Sequence, residues 1–325
     1  MRIPVGPSTL FVVLWAFAYP LGALGVGAMS PMLLLTCRFA GSAVAMTALA
    51  LATRRRFPRG RALTHVAVVG LLTQVTQFGG IYLGLQLGVP AVITALVIAL
   101  NPVATAVLAR PMLGERIGRR RLIGILIGVA AVSAACIPRI VADADAMGAA
   151  VALALVALIG VAAGGIHQQR FCADVDPIAS NAVQFAIAAV PVAVIAVATP
   201  QSVPDPARAA WVVPTMIVLS SMVATTLFLR LVTAAGASAT SMLFTLIPSV
   251  AALLGWALLG ERPDLWIVLG IALAATSLVV AARKEVGGIR HERAMVVGKT
   301  VSSAISRSRI SVSHDQRSDQ PLMND

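Results

Sequence analysis

Charged side chains are scarce in this chain. They make up 12% of its 325 residues, where soluble domains carry about 25%. So little polar surface cannot coat a globule in water, which excludes a soluble enzyme, a secreted disulfide scaffold and a nucleic-acid binder. Lysine is nearly absent: Lys284 and Lys299 are the only two, and arginine supplies the other basic groups. Cysteine is limited to Cys37, Cys136 and Cys172, far apart and without a CxxC pair. That spacing offers neither a metal site nor a disulfide framework, and the three read as small apolar packing residues. No G-x-x-x-x-G-K-[ST] motif occurs, so nothing in the chain predicts ATP-driven chemistry. No cofactor and no metal are expected.

What the chain has instead is apolar length: 58% of residues are hydrophobic and the mean hydropathy is +0.91. A bilayer-spanning helix takes about 20 apolar residues. Ten spans are expected, near 9–28, 31–52, 64–84, 90–112, 121–138, 147–166, 178–199, 210–230, 237–259 and 264–282. Each must be helical, because a segment surrounded by lipid has to satisfy its own backbone hydrogen bonds. The first span follows Arg2 but is too long for the apolar core of a signal peptide. The expected class is thus an all-α integral membrane protein with the lipid bilayer as its surroundings.

Arginine placement sets the expected orientation. Arg54, Arg55, Arg56, Arg59 and Arg61 fall between spans 2 and 3, and Arg116, Arg119, Arg120 and Arg121 between spans 4 and 5. Both loops lie on one side, with Arg2, Arg170 and the basic tail. The other side holds Arg139, Arg208 and Arg262, offset by Asp143, Asp145, Asp205, Glu261 and Asp264. Both termini are expected in the cytoplasm and the protein in the cytoplasmic membrane. The net charge of +12 therefore reports orientation and not a nucleic-acid partner. Residues 284–325 are polar, mixed in charge and poor in apolar side chains, and are expected to be a disordered tail.

The strongest internal signal is a self-match at a constant offset of 146 residues. AVITALVIALNPVATAVLARPMLGERIGRRRLIGI (91–125) aligns without gaps to ASATSMLFTLIPSVAALLGWALLGERPDLWIVLGI (237–271), and about a dozen of the 35 positions agree. Pro102/Pro248, the Gly-Glu-Arg of 114–116 with that of 260–262, and Gly124/Gly270 stay in register. Apolar composition alone does not produce such matches. Five spans per half is an odd number, so the second half must enter the membrane upside down relative to the first. Inverted repeats of this kind characterise secondary transporters. The expected units are 1–140, 141–283 and the tail 284–325.

Trp15 in span 1, Arg38-Phe39 in span 2, and a proline followed by Leu-Gly-Glu in spans 4 and 9 resemble the drug/metabolite transporter superfamily, and within it the ten-span branch with two EamA domains. The resemblance covers about residues 8–282. It implies export or exchange of small metabolites through a central cavity and does not name the substrate.

The candidate substrate-binding residues are Trp15, Tyr19, Arg38, Gln77, Thr94, Asn101, Pro102, Thr245 and Pro248. Pro102 and Pro248 fall near the middle of spans 4 and 9, where each removes an N–H and frees the carbonyl four residues earlier. Interrupted helices at matching positions of two halves point to a midplane site. Arg38 is the only charge deep within a span, and a substrate facing it would present a carboxylate or similar anion. No Asp or Glu lies inside any span, which disfavours cation antiport by carboxylate competition. His65 and His167 read as interfacial residues. A small-molecule substrate, with a coupled proton or ion, is the expected partner, and the oligomeric state is left open. Two alternatives stand beside this carrier. One is an organophosphate or nucleotide-sugar exchanger, which calls for converging Lys/Arg groups; the other is a membrane-embedded transferase using His167, Asp174 and Asp176.

Overall fold

The computed structural model describes residues 5–89, 91–113, 144–260 and 265–282, with isolated positions between 123 and 130. Among them every regular element is helical. The elements are α1 (Val5–Ala28), α2 (Pro31–Ala52), α3 (Arg61–Gln86), α4 (Ala91–Ile98), α5 (Asn101–Leu113), α6 (Ala144–Phe171), α7 (Pro177–Ala198), α8 (Pro206–Ala235), α9 (Ala237–Ser241), α10 (Ile247–Leu259) and α11 (Leu265–Ala282). Seven helices are long and apolar enough to cross a membrane: α1, α2, α3, α6, α7, α8 and the α9–α10 segment. The expected fourth span is divided into α4 and α5, and α11 occupies the place of the tenth. The expected fifth span at 121–138 apart from isolated positions, both Gly-Glu-Arg loops apart from Gly260, and the tail fall outside the described residues. By its contacts the chain divides into Met1–Leu278 and Val279–Asp325; of the latter only the last turn of α11 is described.

Helix starts follow local chemistry. Proline opens α2 and α7, where its missing N–H is an orphan in any case. Asp176 caps α7, its Oδ1 accepting from the amides of Ile178 at 2.9 Å and Ala179 at 3.1 Å. Gly236 and Gly260, at φ +89° and +70°, make the tight turns beside α9 and after α10. Exposed Val44, Val190, Val194 and Val197 lie on α2 and α7, as lipid-facing surface requires.

Without a hydrophobic force between helices in lipid, close packing must come from small residues. The α3–α6 seam shows this. A Cβ at Gly80 would lie 2.5 Å from the carbonyl oxygen of Leu153, and one at Gly160 would lie 2.6 Å from that of Leu72. The Gly160-x-x-x-Gly164 pair thus serves packing within the chain.

The irregular segments recur at the offset seen in the sequence. α2 and α7 begin and end 146 residues apart. α3 contains a π-helical stretch at Leu71–Thr76, and α8 contains one at Met216–Ala224. The fourth span breaks between Ile98 and Asn101, and α9 leads through a 3₁₀ turn (Met242–Leu246) into α10. Pro102 and Pro248 were expected to mark interruptions of spans 4 and 9, and both lie at such breaks. Each is the second residue of the helix that restarts after the break, a position that tolerates proline.

Contacts between elements are also reciprocal. α1 packs on α10 while α6 packs on α5, and α4 packs on α10 while α9 packs on α5. α2 and α7 lie side by side and are joined at both ends. At one end the Ser30 and Ser202 backbones and hydroxyls bond each other, with Ser30 N to Ser202 O at 3.0 Å and Ser202 N to Ser30 Oγ at 2.9 Å. At the other, Arg55 Nη1 meets Asp176 Oδ2 at 3.3 Å.

Candidate functional site

Arg38 sits on the inner face of α2 with 0% of its surface exposed. Its Nε donates to Ser221 Oγ at 3.0 Å, from the π-helical stretch of α8. Its Nη1 donates to Tyr82 Oη at 2.7 Å, from the end of α3. The guanidinium lies 4.1 Å from the centre of the Phe78 ring. Ser42 Oγ caps the Arg38 carbonyl at 2.6 Å. Nη2 has no hydrogen-bond partner among the described residues.

An arginine at the centre of a bilayer helix costs on the order of 2.5–3.5 kcal/mol on insertion scales. Two hydrogen bonds to a charged group, roughly 1.5–3 kcal/mol each, and a desolvated cation–π contact of about 2 kcal/mol are enough to hold it there. They leave its charge unneutralised. Among the described helices the sole acidic residue is Asp145, in the first turn of α6.

An aromatic shell surrounds this group. Phe11, Trp15, Phe228 and Phe244 pack mutually, with ring centroids 5.0–6.2 Å apart in all six pairs. Trp15 is 6.3 Å from Phe78, and Phe78 is 6.1 Å from Tyr82. Between α1 and α3 a cavity of about 10 Å³ is lined by Trp15, Ala18, Tyr19, Phe78, Ile81 and Tyr82, room for about one water molecule. Phe78 and Tyr82 are shared between this cavity and the guanidinium.

Trp15, Tyr19 and Arg38 therefore come together around Phe78 and Tyr82. Gln77, one residue before Phe78, is fully buried, and both polar atoms of its amide are unpartnered among the described residues. Gln74, which the sequence reading passed over, is in the same state on the π-helical stretch of α3. Its counterpart 146 residues on is Ser220, also buried with an unpartnered hydroxyl. Thr94 and its counterpart Thr240 repeat the pattern on α4 and α9. Asn101 opens α5, and its Oδ1 accepts from Thr105 at 3.1 Å. Thr245 and Pro248 are buried at the α9–α10 break, while Pro102 is half-buried at the α4–α5 break. Tyr82 did not stand among the candidates, and Ser221 was legible only as one of several hydroxyls of span 8. Tyr82 could have been found as the aromatic one turn after Phe78, but nothing short-range ties residue 221 to residue 38.

His65 and His167, expected as separate interfacial residues, are a pair: Nδ1 of one lies 3.1 Å from Nε2 of the other. Phe171 stacks on His65 at 4.4 Å. Asp176 is occupied as helix cap and ion-pair partner, and no group of three His, Cys, Asp or Glu that could hold a metal occurs among the described residues. Arg38 and its partners thus form a buried polar and aromatic cluster inside a helical membrane protein.

The particular family follows from comparison. The EamA-like transporter family matches residues 8–135 and again 148–283, and the chain belongs to that family of membrane transporters. A solved protein, described as "Crystal structure of protein", shares the fold with a TM-score of 0.63 at 18% identity, over 85% of this chain and 95% of that one. No curated protein matches the chain.

Proposed function

We propose that the protein is a secondary carrier of the cytoplasmic membrane, exporting or exchanging a small polar metabolite such as an amino acid. Two inverted five-helix repeats, 1–140 and 141–283, rock against each other in this reading to expose the site alternately to each side. Both termini and the tail 284–325 are cytoplasmic. The observation that carries it is the contact between Phe39 and Phe185. They are 146 residues apart in sequence, and their ring centroids are 5.6 Å apart. Equivalent residues of two related units touch each other only near a two-fold axis. The clasps at the ends of α2 and α7 agree, since each joins the start of one helix to the segment following the end of the other. That head-to-tail arrangement is what an axis in the membrane plane requires.

An organophosphate or nucleotide-sugar exchanger fits less well, because Arg38 has no second cation beside it among the described residues, and recognition of a phosphate dianion calls for several. The test is counterflow in proteoliposomes against labelled amino acids, organic acids, nucleosides and quaternary ammonium compounds. Accumulation of one of the polar solutes is expected. Uptake of quaternary cations alone would refute the substrate reading, and no exchange of any solute would refute the carrier.

A further inference from the structure

We infer that the free edge of the Arg38 guanidinium is a carboxylate site, so that the solute is a monocarboxylic acid or a zwitterion, bound one per molecule. This rests on the carrier reading for its word "solute", and on the geometry alone for the site. Ser221 occupies Nε and Tyr82 occupies one hydrogen of Nη1. The second hydrogen of Nη1 and both of Nη2 remain, and Nη2 has no partner among the described residues. Nη2 thus keeps its N–H groups for an acceptor, and a carboxylate, which guanidinium binds through charge-assisted hydrogen bonds, is the acceptor that also supplies the missing charge. Phe78 covers the guanidinium face at 4.1 Å, so an anion approaches in the plane and not from above.

Charge balance argues the same way. Arg38 is fully buried, makes no ion pair among the described residues, and lies in a helix bundle whose other described spans carry no acidic residue beyond Asp145 at the start of α6. A buried charge without a counter-charge is what an anionic ligand would complete. The equivalent position of the second half is Gln184, which is neutral and internally satisfied. It accepts from Thr73 Oγ1 at 3.4 Å and donates to Ser180 Oγ at 3.1 Å. The site is therefore single although the scaffold is doubled. Phe78 and Tyr82 separate Arg38 from the cavity at Trp15 and Tyr19, which holds no more than water in this conformation. Entry of a solute requires α1 and α3 to part there, and its apolar part would then rest against the Trp15 and Tyr19 rings.

The experiment uses the purified full-length protein in detergent, in sulfate buffer without chloride, and follows the unfolding temperature and calorimetric binding. The probes are amino acids and monocarboxylic acids, each beside its primary amide and methyl ester. An acid should raise the unfolding temperature with one-to-one binding, its amide and ester should not, and Arg38→Gln should lose the response. Acid and amide acting alike, a response that survives in Arg38→Gln, or no response to any acid would each overturn the site. Chloride acting as strongly as the acids would make Arg38 a halide counter-ion site and overturn the carboxylate assignment. Should Arg38→Gln fail to fold, Tyr82→Phe serves instead. It frees more of the fork, so the acid response should persist or grow; a lower unfolding temperature with no acid response would count against the proposal. Binding without counterflow would retract the carrier and keep the site, whereas counterflow of a neutral solute with no acid effect would do the reverse.

Discussion

At the scale of single residues, what distinguishes this molecule is how closely its helices approach and where polar groups are placed between them. Gly160 is the clearest case, because a Cβ there would meet the Leu72 carbonyl at 2.6 Å and the Thr76 side chain at 3.1 Å. Gly160→Ala should destabilise by about 1–3 kcal/mol, the usual cost of overpacking. Gly79, with nothing within 4 Å of the same added atom, is the control, and Gly79→Ala should be neutral or gain up to about 1 kcal/mol from helix propensity. Thermal unfolding in one detergent compares the two; equal losses would contradict the packing argument. The His65–His167 pair permits a second check. A double-mutant cycle with His65→Phe and His167→Phe should give a coupling of roughly 0.5–1.5 kcal/mol, the net value of one hydrogen bond, and strictly additive losses would mean the 3.1 Å contact contributes nothing. Arg38 was legible from sequence as the only charge deep in a span. Its partners were not, since Ser221 is 183 residues away and no local rule connects them. Both histidines were visible, but their pairing across 102 residues was not.

At the scale of elements, lipid makes the spans easy to read and their irregularities hard. Hydropathy alone located α2 at 31–52 and α7 within one residue of its observed ends, because a helix in lipid has no alternative way to satisfy its backbone. The paired prolines marked the two interruptions, and the structure shows where each helix resumes. A proline in mid-helix would kink it, whereas these restart helices after a turn. The physical difference is testable. Pro248 is second in α10 and removes no intrahelical bond there, so Pro248→Ala should change stability by about 1 kcal/mol or less. A loss or gain of several kcal/mol in a denaturation series would return the residue to the role of a kink. The π-helical stretches at Leu71–Thr76 and Met216–Ala224 had no comparable signal. Gly70, just before the first stretch, lies so close to the Gln184 backbone that a Cβ there would meet it at 2.9 Å, and such stretches often mark functional segments. Gln74 and Ser220 sit at matching points of the two, both buried with unpartnered polar atoms; span 8's run of hydroxyls points to Ser220, whereas nothing in charge or proline placement points to Gln74.

At the scale of the molecule, a repeated scaffold carries an unrepeated site. Moving 146 residues along from Trp15, Tyr19, Arg38 and Phe78 leads to Val161, Gly165, Gln184 and Ala224. The charge and the Trp15, Tyr19 and Phe78 rings beside it thus come from the first half, while the second half adds Phe228 and Phe244 to the aromatic cluster. The proposed inversion makes the last prediction, because the two clasps joining α2 and α7 must then lie on opposite faces of the membrane. In a chain with Cys37 and Cys136 replaced, single cysteines at Ser202→Cys and Arg55→Cys report each clasp. The native Cys172 is buried, and that burial pushes its thiol up to about 11, so it contributes little thiolate to compete for label. A membrane-impermeant maleimide applied to intact cells should modify position 202 and leave position 55 untouched until the membrane is opened. Modification in the opposite order would reverse the orientation read from the arginines while keeping the inverted repeat. Labelling of both positions from the same side would remove the inversion itself, and with it the argument that equivalent halves exchange roles as the site turns from one face to the other.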